Sequence, residues 1–340
     1  MRPFLLAAAL TWAAPSASRA AFPVERLDVK VSTASPVRPG AKGECQPEDF
    51  IPGKTKYKKV RINGWPAELY KVDGSGESEN MNIDGWGKEG EAKVRLPEAF
   101  DLTVYQFGCA SSTSYVLDLK KAGRRHALYQ HVVDYRVDPK RLTLYLNNSR
   151  RMPDGRYEGF LGLVDIPTKK KTRFAHVPCL AGGSFAGPWY VSNSGQPAEL
   201  PADRRAPTTV CAWGLDGGFQ GAFRAPLSWS LCGNAYCLND AVGPLPKEPD
   251  TFYFYSAAAA GDRECRLYLR SLKDAGRMRE FRLGLQAGAL DEDGGKSYRC
   301  PPAEFDLEAL SMGSEAVSFR EDRGKEAAAP AWRKAPALLP

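Results

Sequence analysis

Leu119-Lys120-Lys121-Ala122-Gly123-Arg124-Arg125 returns 153 residues later as Leu272-Lys273-Asp274-Ala275-Gly276-Arg277-Met278, identical at five of seven positions. Each copy follows an alternating apolar run, Ser114-Tyr115-Val116-Leu117-Asp118 in one and Cys265-Arg266-Leu267-Tyr268-Leu269 in the other. Each also precedes a second run, His126-Ala127-Leu128-Tyr129 or Glu280-Phe281-Arg282-Leu283. Period-two alternation on both sides of a basic, Gly-containing turn reads as a β-hairpin. Two more hairpins of that shape lie between the copies. One runs from Phe160 through Lys169-Lys170-Lys171 to Ala175, the other from Val210 through Asp216-Gly217-Gly218 to Phe223. With Ala67, Ser114, Leu161, Cys211 and Arg266 as markers the spacings are 47, 47, 50 and 55 residues, the repeat length of a four-stranded propeller blade.

One blade is complete in the sequence: Val132 to Val137, Arg141 to Asn147, Glu158 to Ile166 and Lys171 to Val177, separated by Asp138-Pro139, by Pro153-Asp154-Gly155 and by the lysine turn. The stretch Val132 to Leu142, with its acidic-Pro turn between strands, and the hairpin from Leu161 to Phe174 resemble the TolB-like and WD-repeat-like β-propellers. The resemblance implies the fold and no catalytic residue; the Trp-Asp dipeptide of the second family is absent. Second strands are expected near Tyr57, Phe100, Arg141, Gly187, Asp250 and Glu304, giving an all-β propeller of six four-stranded blades over residues 57–321. The alternating run Arg26 to Ser32, within an arm spanning 21–56, is expected to close the last blade, since closure removes exposed strand edges. Residues 322–340, rich in Ala, Pro and charge, read as a disordered tail. Periodicity does not separate a ring from a β-sandwich, which stands as the alternative.

Residues 1–20 carry Arg2, an apolar stretch from Phe4 to Trp12 and the small-x-small sequence Ser18-Arg19-Ala20, the signature of a secretory signal. Losing Arg2 and Arg19 lowers the net charge from +7 to +5. No later segment is long and apolar enough to span a bilayer as a helix. A periplasmic or extracellular, soluble, monomeric protein is therefore expected. The 340 residues, with 43% apolar and 26% charged side chains, exclude wholesale disorder and a collagen-like fibre. Eight cysteines behind an export signal imply disulfides, with Cys232–Cys237 and Cys265–Cys300 as the two pairings expected. Structural zinc is disfavoured, because the closest cysteine pair has four residues between its members and His126, His131 and His176 lie far from it.

Three constellations bear on chemistry. Gly182-Gly183-Ser184-Phe185-Ala186 misses the nucleophile-elbow pattern by one residue and is followed by a strand-like run instead of a helix, so it reads as a Gly-rich strand. Asn80, Asn82, Asp84 and Glu91 have the spacing of a calcium loop, though one of low affinity, with Asn at its first position. The basic turns hold Lys120, Lys121, Arg124 and Arg125, then Lys169, Lys170, Lys171 and Arg173, then Lys273, Arg277 and Arg279. Equivalent hairpins of a ring project from one face, so these eleven cations would share a surface able to attract an anionic polymer or an acidic protein. No cofactor is expected beyond that calcium. Nucleic acid is disfavoured as a partner, since no basic-aromatic stacking module is present. The function expected is an exported binding or scaffolding module whose ligand is anionic: glycan, lipid headgroup or acidic protein. A secreted glycan hydrolase and a structural envelope component are its rivals.

Overall fold

The computed structural model describes residues 24–27, 32–34, 52, 58–62, 65–71, 85–109, 112–151, 157–177, 179, 181–194, 205–232, 235–238, 241–257, 263–290, 297–321 and 331–338. Every regular element among them is a β-strand. The anticipated signal, Asn80, Asn82, Asp84, and the side chains of Cys232 and Cys237 lie outside the described residues.

Ten strands form one antiparallel sheet. In chain order they are β2 (Ser32–Ala34), β3 (Lys58–Ile62), β4 (Trp65–Lys71), β5 (Gly85–Leu96), β6 (Phe100–Cys109), β7 (Ser112–Lys121), β8 (Arg124–Asp138), β9 (Thr143–Arg151), β10 (Tyr157–Asp165) and β11 (Lys171–Val177). Nine of them meander from β3 to β11, and β2 pairs on the far side of β11. A second sheet holds β1 (Glu25–Leu27), β12 (Ala181–Ala186), β13 (Trp189–Asn193), β14 (Arg205–Gly214), β15 (Phe219–Cys232) and β16 (Ala235–Leu238). The third holds β17 (Ala241–Pro244), β18 (Thr251–Ala257), β19 (Glu264–Ser271), β20 (Met278–Gln286), then β23 (Ala303–Phe305), β24 (Ala316–Glu321) and β25 (Arg333–Leu338). Between them a small hairpin pairs β21 (Gly288–Leu290) with β22 (Ser297–Arg299).

Strands begin at Lys58, Phe100, Thr143, Trp189, Thr251 and Ala303, near the six expected starts. Blade boundaries do not follow the expectation. The long strand β8 pairs with β7 through its first half and with β9 through its second, with register shifts on both ladders near Val132. Four consecutive strands on either side of that corner therefore share one sheet instead of forming two blades. The sheet folds over its own core, where Phe100, Leu102, Leu117 and Leu119 meet Leu144, Leu146, Val164 and Ile166. Tyr145 and Leu161 then pack on Tyr190, Cys211 and Trp213 of the second sheet. The opposite side of that sheet, with Val210, Phe223 and Leu227, packs on Phe252, Phe254 and Tyr268 of the third.

The N-terminal strand does not close a last blade. Glu25–Leu27 pairs with Ala222–Arg224 of β15, and Ser32–Ala34 with Ala175–Val177 of β11, so the arm lies on the outer edges of the first two sheets. Val24 is buried in the core between the second and third sheets. The tail, expected to be disordered, contributes β25, which pairs with both β20 and β24 and buries Ala335. Its composition is poor in large apolar groups, but two open strand edges supply backbone partners that need none. Cys265–Cys300 forms as expected. Cys179–Cys211 is a second bridge, which joins the segment before β12 to the centre of β14.

Candidate functional site

The two copies of the repeated heptapeptide fold differently. In the first, Lys121 pairs with Arg124 across a two-residue turn in which Ala122 (φ 47°) and Gly123 (φ 77°) are both left-handed. That is the turn whose twist matches a tight hairpin. In the second, Arg270 pairs with Met278, and the loop between them is longer. Leu272 is drawn into the core, Asp274 Oδ1 accepts from Gly276 N at 2.9 Å, and Arg270 Nη1 donates to the Ala275 carbonyl at 3.1 Å. Asp274 stands where the first copy has Lys121, and its carboxylate closes the loop on itself.

Even so, the turns come together on one side of the stack. His126 Nε2 lies 2.8 Å from the Ile166 carbonyl oxygen, linking the β7–β8 and β10–β11 turns, and Ile166 N donates to the Leu142 carbonyl at 2.9 Å, adding the β8–β9 turn. Gly217 of the β14–β15 turn sits against the Phe174 ring, which a Cβ there would approach to 3.0 Å. Leu272 of the β19–β20 turn touches Gly221 and receives the Arg26 Nε bond at 2.6 Å. Leu272 N also donates to the Asp250 carbonyl in the β17–β18 connection.

Of the eleven anticipated cations, several are spent locally. Arg125 makes a two-pronged contact with the buried Asp118, which Lys120 approaches to 3.8 Å. Lys273 pairs with Asp250 at 2.7 Å. Arg279 Nε donates to the Met312 carbonyl, and Arg173 stacks on Phe160. Lys171 turns inward, its Nζ 5.9 Å from the centre of the Tyr129 ring, and burial with the nearby Arg173 charge pushes its amine down to about 8. Lys121 lies over the Phe100 ring, exposed. Arg124, Lys169, Lys170 and Arg277 are exposed and, like Lys121, make no ion pair with another described residue.

The face also carries cations that the repeat did not flag, because they sit in the β8–β9 turn, where Asp138-Pro139 reads only as a strand breaker. Asp138 Oδ1 accepts from the backbone N of Lys140 and Arg141, which presents Lys140 and Arg141 outward. Arg136 donates from Nη1 to the Gly187 carbonyl in the β12–β13 turn. Beside these residues opens a cleft of about 320 Å³ lined by Arg136, Val137, Asp138, Pro139, Lys140, Tyr145 and Leu215. In the β10–β11 turn, Thr168 donates to Asp165 from both its hydroxyl and its backbone N, holding that carboxyl below the usual range.

Ser184 belongs to the regular strand β12, opposite Val191, and no helix follows it. A Cβ at Gly183 would lie 2.6 Å from Tyr190 Cζ, so that glycine gives room to an aromatic ring. Asn147 is fully buried, donating to the Gly183 carbonyl and accepting from Tyr190 Oη at 3.0 Å, which closes Asn147-Asn148-Ser149 to a glycan. Glu91 sits on β5 with Lys93 at 3.4 Å. Among the described residues no three His, Cys, Asp or Glu gather in a group able to hold a metal, none of the cysteines is free, and no helix is long and apolar enough to cross a membrane.

No family model matches the chain, and no curated protein matches it. Among solved structures it is similar to an acylaminoacyl peptidase of Pyrococcus horikoshii (orthorhombic crystal form), at 9% identity and a TM-score of 0.36, over 71% of this chain and 37% of that one. This chain thus spans little more than a third of that protein's length, and a likeness so low informs no residue of the site.

Proposed function

We propose that the protein is an exported, disulfide-stapled binding module of β-propeller type whose turn face attracts an anionic polymer. The observation that carries this reading is the convergence of turns from all three sheets on one side, where Lys121, Arg124, Lys140, Lys169, Lys170 and Arg277 are exposed without an ion-pair partner among the described residues. Cations gathered on one surface raise the local concentration of polyanions through a field that salt screens within about 10 Å. The face-to-face succession of meandering sheets supports the propeller type. Binding is favoured over hydrolysis because the cleft is lined by one carboxylate, Asp138, which is occupied with its own turn, whereas glycoside hydrolysis uses two.

Retention on immobilised heparin tests the proposal. Replacing Lys169 and Lys170 with Gln is expected to lower the eluting salt well below the parent's. Replacing Arg224 and Lys334, exposed on β15 and β25 away from the turns, should change it little. Equal losses from the two pairs would reduce the effect to net charge and defeat the reading.

A further inference from the structure

We infer that the cleft between the β8–β9 turn and Leu215 is a subsite for one uronate ring of an acidic polysaccharide, an inference that rests on the polyanion reading of the turn face. Its volume of about 320 Å³ lies at the lower end of ligand pockets, fit for one compact ring and not a large ligand. Its two cations are differently held, and its one carboxylate, Asp138, accepts from the backbone N of Lys140 and Arg141. Arg136 is anchored through Nη1 to the Gly187 carbonyl, and its other donors make no ion pair with a described residue. Lys140 is exposed, with only its backbone N engaged by Asp138. A planar guanidinium and a mobile ammonium beside it suit a carboxylate, the first for geometry and the second for charge.

Apart from Asp138 the remaining lining is apolar: Val137, Pro139, Leu215 and the body of Tyr145. A sugar ring brings both requirements, a carboxylate at one edge and a C–H face. An aspartate or glutamate side chain carries the charge but leaves that wall bare. A lipid headgroup would need an apolar rim to enter the bilayer, and the only large hydrophobic side chains strongly exposed among the described residues are Val133 and Trp332. The cations of the β7–β8 and β10–β11 turns lie on the same face, where neighbouring charges of a polymer would meet them.

The probe is a short oligogalacturonate, compared with its methyl-esterified and therefore uncharged form, titrated into the full chain by calorimetry or fluorescence. The acid form is expected to bind at least tenfold more tightly than the ester. Lys140→Gln and Arg136→Gln should each weaken it several-fold, and both together at least tenfold. Lys140 makes no structural side-chain contact, so its variant remains informative if loss of the Arg136 anchor disturbs β12. Lys169→Gln with Lys170→Gln should weaken heparin retention while leaving the short oligomer within twofold of the parent. Equal binding of acid and ester, no binding of the acid, or Lys140→Gln within the error of the parent would overturn the subsite. So would equal dependence on Lys140 for vesicles of anionic phospholipid. If the cleft fails in any of these ways while Lys169 and Lys170 still govern heparin retention, the turn-face reading survives alone; if heparin retention ignores them, that reading falls instead.

Discussion

Arg125 Nε lies 2.8 Å from Asp118 Oδ1, and its Nη2 lies 3.3 Å from Oδ2, so a fully buried carboxylate is matched by a guanidinium at the rim of the sheet. The two partners are unequal. Removing the cation strands a charge in the interior, whereas removing the carboxylate leaves Arg125 free to meet water. Arg125→Met should therefore cost about 3 kcal/mol and Asp118→Asn about 1 kcal/mol in denaturant titrations. The reverse order would mean that Asp118 keeps its solvation through Lys120 or a water.

Gly183 and Gly288 are opposites for a methyl group. At Gly183 a Cβ would sit 2.6 Å from both Tyr190 Cζ and the Val191 carbonyl oxygen, while at Gly288 nothing lies within 4 Å. Gly183→Ala is expected to lower stability by about 3 kcal/mol, the range of an overpacked core, and Gly288→Ala by less than about 0.5 kcal/mol. Thermal melts of the two variants check this, and similar melting temperatures would contradict the position of the Tyr190 ring.

Deleting residues 331–340 should destabilise the third sheet. The deletion removes β25 from two neighbours at once, uncovers the core around Phe319 and Phe281, and takes away the Arg333–Glu321 pair at 3.0 Å. A loss of several degrees in melting temperature is expected. A truncated chain that melts with the parent would return this segment to the solvated tail that its composition suggests.

Lys171 links stability to pH. Its folded amine titrates near 8, below the ordinary 10.5, because burial and Arg173 oppose the charge. Below pH 8 folded and unfolded chains both hold the proton and the folded state bears the full penalty. Between about 8 and 10.5 only the unfolded chain holds it, so this contribution rises with pH through that window. Lys171→Met should be more stable than the parent at pH 7, by about 1 to 3 kcal/mol, with the gap narrowing toward pH 10.5. A gap independent of pH would show that packing alone separates them.

Hairpins were legible in the sequence because a hairpin is local: alternation on both sides of a turn residue fixes two strands and their partner together. That is why strands begin within three residues of each expected start. Pairings between distant segments left no such trace. Three residues of β1 on β15 or of β2 on β11 have no periodicity long enough to name a partner. Nor does sequence mark the corner in β8 near Val132, where one strand serves two ladders. The heptapeptide repeat marked a common position correctly but not a common conformation, since one substitution, Lys121 against Asp274, exchanges a tight turn for a self-bonded loop. At the site, basic residues in repeated turns were visible, while Arg136, Lys140 and Arg141 needed the neighbouring turn that brings them to the same side.

The arm that lies on the outer edges also sets an order of assembly. Glu25 to Leu27 leave the ribosome nearly two hundred residues before their partners Ala222 to Arg224. Closing so long a loop is slow compared with forming the hairpins in between. The arm is thus made before the strands it covers yet docks after them, and until it does β11 and β15 keep bare edges. A nascent chain of this design stays unsealed while most of its length is still being made, and a chain stalled before residue 222 would leave β1 without its partner strand.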